Sequence, residues 1–148
     1  MIALGKKAAN LYGALCAPIC KKYGVNQTGF DVLLFCANNP DHNTARDLCA
    51  LRGLKSGIAS VAVENLIRGG LLVRTEDPID RRMHRLVPTD AASPLIEEGR
   101  QMQRVFTDTL RAGIPEEDLA AFARVTDALE ANLAAFGNLI AFGGKDLL

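Results

Sequence analysis

The chain contains 148 residues, 49% of them hydrophobic, and its 17 basic and 17 acidic side chains give a formal net charge of zero. This length suits one domain of ordinary size with a buried core. The sequence contains no run of about 18 apolar residues, which argues against a membrane span, and no cleavage site follows Lys6 and Lys7, so we expect a cytoplasmic protein without a signal peptide.

The charges are distributed unevenly along the chain. Residues 1–43 carry a net charge of +2, residues 44–88 carry +3 and residues 89–148 carry −5. The middle of the chain is therefore the part best suited to contact a polyanion, and the C-terminal part is the least suited.

Residues 1–23 are predicted to form a helix, because apolar side chains recur on one face. These are Leu4, Ala8, Leu11, Leu15 and Ile19. Pro18 cannot donate a backbone hydrogen bond and its ring clashes one turn back, so the helix should kink or break near residue 14. Gly24 is expected to follow its last turn.

A second helix is predicted to begin at Thr28 or just before it, and the Thr28 hydroxyl can cap the first turn while Asp31 caps in return. Its apolar face contains Phe30, Leu33, Leu34 and Ala37. The helix should end at Asn38-Asn39-Pro40, because proline disfavours the helical conformation of the residue before it.

Two helices joined by a tight turn are predicted next. Thr44 and Asp47 form a capping box for a short helix through Leu51, and Gly53 breaks it. The second helix spans residues 55–69. We expect its inward face to contain Ile58, Val61, Ala62 and Leu66. Together the two helices form a helix-turn-helix pattern.

The periodicity then changes from helix to strand. Residues 71–76 and 83–87 have the pattern of two strands, and residues 77–82 between them are polar apart from Pro78 and Ile79. This arrangement predicts a β-hairpin with a charged tip.

Two further helices are predicted after the hairpin. The first begins near Thr89, and its apolar stripe contains Leu95, Gly99, Met102 and Phe106. The second begins at Pro115 and has a heptad-like seam formed by Leu119, Phe122, Thr126, Leu129, Leu133, Phe136 and Ile140. A single short domain has little core to cover such a seam, so we expect it to pack against a partner subunit. Packing against residues 1–23 of the same chain is the alternative.

A helix-turn-helix followed directly by a hairpin is the layout of a winged helix, so the predicted fold class is mainly α with a small β-hairpin. The second helix would enter the major groove of DNA with its N-terminus first. Its candidate contact residues are Lys55, Ser56, Gly57 and Ser60. At the hairpin tip, Arg81 and Arg82 are candidates for a narrow minor groove, and Asp80 is expected to support the wing by pairing with one of these arginines.

Several motifs of this region resemble the MarR family of bacterial transcriptional regulators. They are Arg46-Asp47-Leu48, Leu54-Lys55-Ser56, Val63-Glu64-Asn65-Leu66, Gly70-Leu71-Leu72-Val73-Arg74 and Asp77-Pro78-Ile79-Asp80-Arg81-Arg82. The sharpest of them is the wing, where Asp80-Arg81-Arg82 matches the family's Asp-Arg-Arg. The flanking helices match the family's layout, so the resemblance covers nearly the whole chain. The sequence departs from the family at Val61, where many members carry a basic or polar reader.

The resemblance implies that residues 1–148 form a single MarR-like chain. The winged-helix DNA-binding lobe would occupy residues 28–88, and residues 1–23 and 89–148 would supply dimerisation helices. Such a homodimer would bind a palindromic operator in double-stranded DNA, commonly as a repressor. A small lipophilic or phenolic ligand, bound between the dimerisation helices and the DNA lobe, would release it.

Cys16 and Cys20 lie four residues apart on one helix face. Some relatives sense oxidants through a cysteine in the first helix, so both are redox candidates, and buried small side chains are the other interpretation. His42 and His84 have no ligand spacing with the cysteines, so we expect no metal and no cofactor. The sequence contains no recognisable triad, carboxylate pair or phosphate loop, and we expect no enzymatic activity.

Three functions stay open on the residues alone. The leading one is a sequence-specific DNA-binding regulator that uses helix 55–69 and wing 77–82. A winged-helix module that binds proteins and not DNA is the second, and the zero net charge is compatible with it. A thiol-based redox sensor that also binds DNA is the third.

Overall fold

The computed structural model describes residues 2–141 of the chain, with side-chain surroundings for residues 3–137. In chain order the elements are α1 (Ile2–Tyr23), α2 (Gln27–Asn38), α3 (Ala45–Arg52), α4 (Ser56–Arg68), β1 (Leu72–Glu76), β2 (His84–Pro88), a short 3-10 turn (Asp90–Ala92), α5 (Ser93–Arg111) and α6 (Glu116–Ala141). The described part of the chain is thus mainly α-helical with one antiparallel hairpin, as predicted. No helix within it is long and apolar enough to cross a membrane.

The chain divides into two compact units. The first runs to Phe106 and contains α1 to α4, the hairpin and most of α5, and the second begins at Thr107 and contains the end of α5 and α6. The first unit holds a continuous apolar core to which every one of its helices and both strands contribute. Its most buried large side chains are Phe30, Leu33, Leu34, Leu48, Val63, Leu72, Leu86 and Leu95.

The α2 helix begins at Gln27, just before Thr28 as predicted, but its capping residue differs from the prediction. Its cap is Asn26, whose Oδ1 accepts a hydrogen bond from the amide of Gly29 at 2.8 Å. Thr28 is therefore the second residue of the helix and not its cap, because asparagine two positions earlier offers the same capping chemistry. Asp31 does not serve the cap and instead accepts a hydrogen bond from Gln27 at 3.1 Å.

The start of α3 confirms the predicted capping box. The Thr44 hydroxyl accepts from the Asp47 amide at 3.1 Å, and the Asp47 carboxylate accepts from the Thr44 amide at 3.0 Å. The helix ends at Gly53, whose φ of 64° lies in the left-handed region that glycine adopts without strain. Two local signals therefore define both ends of this short helix.

Pro18 does not end the first helix, which is continuous from Ile2 to Tyr23. The predicted break is wrong because a proline removes one hydrogen bond, whereas the turn around Pro18 is held by side chains buried in the core. These are Cys16, Ile19 and Cys20. The earlier part of the apolar stripe is exposed at Leu4, Leu11 and Leu15.

The inward face of α4 also differs from the prediction. Ala62 and Leu66 are buried as expected, and the other buried positions are Ala59 and Val63. Ile58 and Val61, which were predicted to point inward, are 49% and 62% exposed. The helix is apolar on most of its circumference, so its periodicity does not decide which stripe meets the core.

Gly99 allows α5 to approach α2 closely. A Cβ atom at this position would lie 2.8 Å from Cδ1 of Leu34 and 3.1 Å from Cε2 of Phe30. Both neighbours are buried in the core. The glycine in the predicted α5 stripe is therefore a packing requirement.

The hairpin pairs Leu72 with Pro88 at its base and Glu76 with His84 near its tip. The loop before α3 adds to its edge, since the amide of Leu86 donates to the carbonyl of Asn43 at 2.8 Å. Both strands begin one residue later than predicted. The hairpin is consequently anchored to the helices at its base.

The α6 helix leaves most of its heptad seam uncovered in the single chain. Its exposed members are Phe122, Leu129, Leu133 and Phe136. Leu119 and Thr126 are half-buried, and the side chain of Ile140 lies outside the described residues. An amphipathic helix with such a face usually packs against another element.

Candidate nucleic-acid interface

The N-terminal half of α4 presents small and polar side chains to solvent. Lys55 occupies the N-cap position with extended backbone and makes no side-chain capping bond, so its side chain projects outward. The side chains of Ser56 and Ser60 are exposed on the same helix, and Gly57 is exposed between them. The opposite side is fixed by the core, which determines the direction in which this surface faces.

Two aliphatic side chains belong to the same exposed surface, although the sequence analysis had assigned them to the core. Ile58 and Val61 line a shallow depression of about 240 Å³ together with Asn26 and Thr28 from the start of α2. The signal that could have revealed them is the excess of apolar positions on α4, which exceeds what one buried stripe needs.

The wing is held by a buried carboxylate that the sequence analysis missed. Asp77 accepts hydrogen bonds from the amides of Ile79 at 2.8 Å and Asp80 at 3.0 Å, and its other oxygen accepts from Nε of Arg85 at 2.7 Å. The Asp80 amide, followed by the Arg85 side chain and the Ile79 amide, lowers the pKa of Asp77 to about 2. An aspartate followed by proline at the end of a strand is the sequence signal for such a turn.

Arg85 extends this anchor to the loop between α2 and α3. Its Nη1 donates to the carbonyl of Asp41 at 2.8 Å and to Oδ1 of Asn43 at 3.4 Å. One guanidinium group therefore joins the wing, through Asp77, to the helical part of the lobe. Charge-assisted bonds of this kind position groups more firmly than neutral ones.

Asp80 has a different contact from the one expected. Its carboxylate accepts from the backbone amide of Arg82 at 3.0 Å, and not from a guanidinium group of Arg81 or Arg82. The reason is the tight turn, in which the amide two residues on comes within reach of an aspartate side chain. Both arginine side chains at the tip are exposed.

Two acidic side chains of this surface are paired with arginines. Glu64 pairs with Arg74 at 2.5 Å, and Asp77 pairs with Arg85. Among the cations of this surface, Arg46, Lys55, Arg81 and Arg82 are exposed and have no ion-pair partner within residues 2–141. The free charge of the α3–α4 and wing surface is accordingly positive.

The two thiols of α1 lie apart from this surface and inside the core. Cys16 is 0% exposed and Cys20 is 8% exposed. Burial raises the pKa of both thiols. A reactive thiol needs a lowered pKa and access to solvent, so neither condition is met here. No group of three or more potential metal ligands occurs within the described chain.

A polar cluster joins α1 to α2 and α5 in the first unit. The Tyr12 hydroxyl accepts from Nε2 of Gln103 at 3.0 Å and donates to Asp31 at 3.4 Å, and its ring packs edge-on against Phe106 with centroids 5.4 Å apart. Burial is the main reason why the pKa of Tyr12 is raised to about 12. This tyrosine therefore stays a neutral structural link.

An open groove of about 840 Å³ lies beneath the wing, against the start of α5 and the end of α2. Its apolar lining includes Pro40, Ile79, Val87 and Ile96. Asp77 and Arg85 of the wing anchor also reach it. The groove has the volume of a small-molecule site.

Comparison with known proteins identifies the relatives of this lobe. The model of the MarR family matches residues 23–83, which extend from the end of α1 to the tip of the wing. No curated protein matches the sequence significantly.

Three solved structures illustrate the likeness of the fold. The transcription regulator MarR from Oenococcus oeni PSU-1 is 21% identical and superposes with a TM-score of 0.75 over 87% of this chain and 97% of its own. A MarR family regulator from Listeria monocytogenes, complexed with 26mer DNA, is 15% identical with a TM-score of 0.77 over 100% and 98%. CouR from Rhodococcus jostii RHA1, bound to p-coumaroyl-CoA, is 20% identical with a TM-score of 0.70 over 85% and 88%.

Proposed function

We propose that this chain, a winged-helix protein of the MarR family, is a homodimeric regulator that binds a palindromic site in double-stranded DNA. The observation that carries the proposal is the charge state of one surface. On the α3–α4 and wing surface Glu64 and Asp77 are paired with arginines, while Arg46, Lys55, Arg81 and Arg82 are exposed without an ion-pair partner in the described chain. Regulation, and not catalysis, is the role that such a surface supports.

The helix α4 would enter the major groove with its N-terminus first. Ser56 and Ser60 would bond base edges or phosphates, Lys55 would reach a phosphate, and Gly57 would let the backbone approach. The wing would place Arg81 and Arg82 over the adjacent minor groove, where the potential is most negative. Asp77 and Asp80 would hold the wing in the conformation this requires.

A homodimer is supported by the exposed apolar positions of the predicted dimerisation helices, residues 1–23 and 89–148. Leu4 and Leu11 are exposed on α1, and Phe122 and Leu133 are exposed on α6. Two copies related by a two-fold axis would present two lobes of residues 28–88 to half-sites about 34 Å apart. The operator should therefore be palindromic.

We also propose that a small lipophilic or phenolic ligand controls the protein, which would then act as a repressor released by that ligand. The groove beneath the wing lies between α5 and the DNA lobe and includes Asp77. A ligand bound there would contact the residue that anchors the wing. The structure of CouR bound to p-coumaroyl-CoA shows that a protein of this fold can carry an aromatic ligand. Filling the groove with Val87→Trp should abolish release of DNA by hydroxybenzoates while DNA binding persists.

The proposal is tested by anisotropy titration of two kinds of duplex, the DNA upstream of the chain's own reading frame and duplexes selected from a random library. Binding should resist unlabelled competitor and weaken steeply between about 50 and 200 mM salt. The double variant Arg81→Ala/Arg82→Ala should bind about 10-fold or more weakly. Arg104→Ala is the matched control, because this exposed α5 arginine contacts Gln101 and Glu97, and it should leave the affinity unchanged.

The exposed aliphatic pair on α4 favours one alternative, a winged-helix module that binds another protein. That function predicts no selected duplex and no binding to any DNA at low salt. Such a result would contradict the proposal. The redox alternative has no comparable support, since Cys16 and Cys20 are buried with raised pKa values.

A further inference from the structure

We infer that Ile58 and Val61 read thymine in the major groove by packing against its 5-methyl group. The inference rests on the proposed DNA-binding function and specifies what the helix α4 recognises. Neither side chain contributes to the buried core, although both are large and aliphatic. The half-site would accordingly contain thymine where these side chains meet the base edges.

The exposure of this pair has no explanation in packing. Ala59, Ala62, Val63 and Leu66 already fill the contact between α4 and the core, with at most 4% of each exposed. Ile58 and Val61 remain 49% and 62% exposed in the shallow depression beside the start of α2. Covering these two side chains with a partner would be favourable, because burial of apolar surface contributes about 25 cal/mol per Å².

The first nine residues of α4 lack the side chains that usually read a base by paired hydrogen bonds. Residues 56–64 contain no arginine, lysine, asparagine or glutamine, the side chains that bond purines in a bidentate manner; Lys55 precedes the helix, and Asn65 and Arg68 lie in its last turns. The one acid, Glu64, is held by Arg74. Hydroxyl groups bond many base edges and phosphates alike, so Ser56 and Ser60 discriminate little. The thymine methyl is the apolar group of the major-groove edge, and it matches an aliphatic reader.

The charges around the pair favour DNA over an apolar protein surface as the occupant. Lys55 precedes the pair on the same helix, and Arg46 is exposed on α3; neither has an ion-pair partner in the described chain. An apolar protein surface would have to bury or neutralise these cations, whereas phosphates complement them.

Gly57 leaves the surface of α4 beside Ile58 open. A Cβ atom at this position would meet nothing within 4 Å. The residue is therefore not a glycine for internal packing, and a glycine in the first turns of a helix costs stability relative to alanine. Its missing side chain leaves room beside Ile58 for a base edge.

The test replaces thymine by uracil, which keeps every hydrogen-bonding group and removes only the methyl. A duplex is first selected from a random library with the full-length protein, and each thymine of a half-site is then replaced singly. Uracil should weaken binding about 4-fold at one or two positions, as expected for the burial of one methyl group. In Ile58→Ala or Val61→Ala, one of these positions should become insensitive to the replacement.

Val73→Ala is the matched control, because Val73 is also an exposed aliphatic residue, 43% exposed, but lies on β1. It should keep the full difference between thymine and uracil. Thermal unfolding verifies that the α4 variants are folded, which their exposure leads us to expect. Selective binding with no uracil-sensitive position overturns the inference and leaves the proposed function intact. Failure to select any duplex overturns both.

Discussion

The two surfaces proposed to meet DNA are held in place in different ways. The face of α4 is positioned by apolar packing, since Ala59, Val63 and Leu66 lock the opposite side of the helix into the core. The wing is positioned by polar bonds, since Asp77 and Arg85 tie its turn to the base of the hairpin and to the loop before α3. The orientation of α4 should therefore depend on the volume of the core side chains, and the conformation of the wing should depend on its charged side chains.

The largest effect is expected from Gly99→Val, which disturbs the apolar packing of the core. A side chain at this position collides with Leu34 and Phe30, and overpacking of a core commonly costs about 1–3 kcal/mol. We expect a loss of about 2–3 kcal/mol in the free energy of unfolding, measured by urea titration. Gly5→Val is the control, because a Cβ at Gly5 meets nothing within 4 Å. Equal stability of the two variants would refute the close contact between α5 and α2.

Asp77→Ala removes the polar anchor of the wing and should weaken DNA binding more than it destabilises the fold. The variant loses both turn amides and the Arg85 contact, so the wing arginines are no longer held in one conformation. We expect about 10-fold weaker DNA binding, as for one lost specific contact, with unchanged helical circular dichroism. Asp80→Ala removes a single amide bond, to Arg82, and should have a smaller effect. A variant of Asp77 that binds normally would show that the anchor is dispensable.

Acid should weaken the same anchor in a defined range of pH. The pKa of Asp77 is lowered to about 2, against about 3.9 in an unfolded chain. The carboxylate therefore stabilises the fold fully above about pH 4, and this contribution is lost as the pH falls from about 4 towards 2. The stability difference between the natural chain and Asp77→Asn, measured by urea unfolding, should be constant from pH 7 to 5 and shrink below pH 4. A difference that grows in acid would contradict the assignment.

The smallest effect is expected from Gly57→Ala, which separates stability from binding on α4. The change should raise the free energy of unfolding by about 0.5 kcal/mol, since alanine favours the helix and the space is open. It should at the same time weaken DNA binding a few-fold, because the new methyl group occupies the approach to the base edge. Unimpaired binding by Gly57→Ala would mean that the backbone of α4 stays away from the bases.

Local signals made much of the fold predictable. The capping box of Thr44 and Asp47, the glycine at 53 and the change of period before β1 depend on residues close in sequence, and each is present in the structure. Local signals alone do not decide which residue caps α2. Asn26 and Thr28 are both good caps, and backbone conformation selects the first.

The sequence alone determined the order of the elements and the type of lobe, because capping, turn chemistry and periodicity act over a few residues. Only the tertiary structure decided which side of α4 faces outward and which aspartate supports the wing. On α4 the apolar residues surround the helix, so burial depends on where α2 and α3 pack against it. At the wing, the Asp77-Pro78 step indicates a turn, but only the register of β1 and β2 brings Arg85 beside Asp77. Both choices depend on contacts between residues distant in the chain.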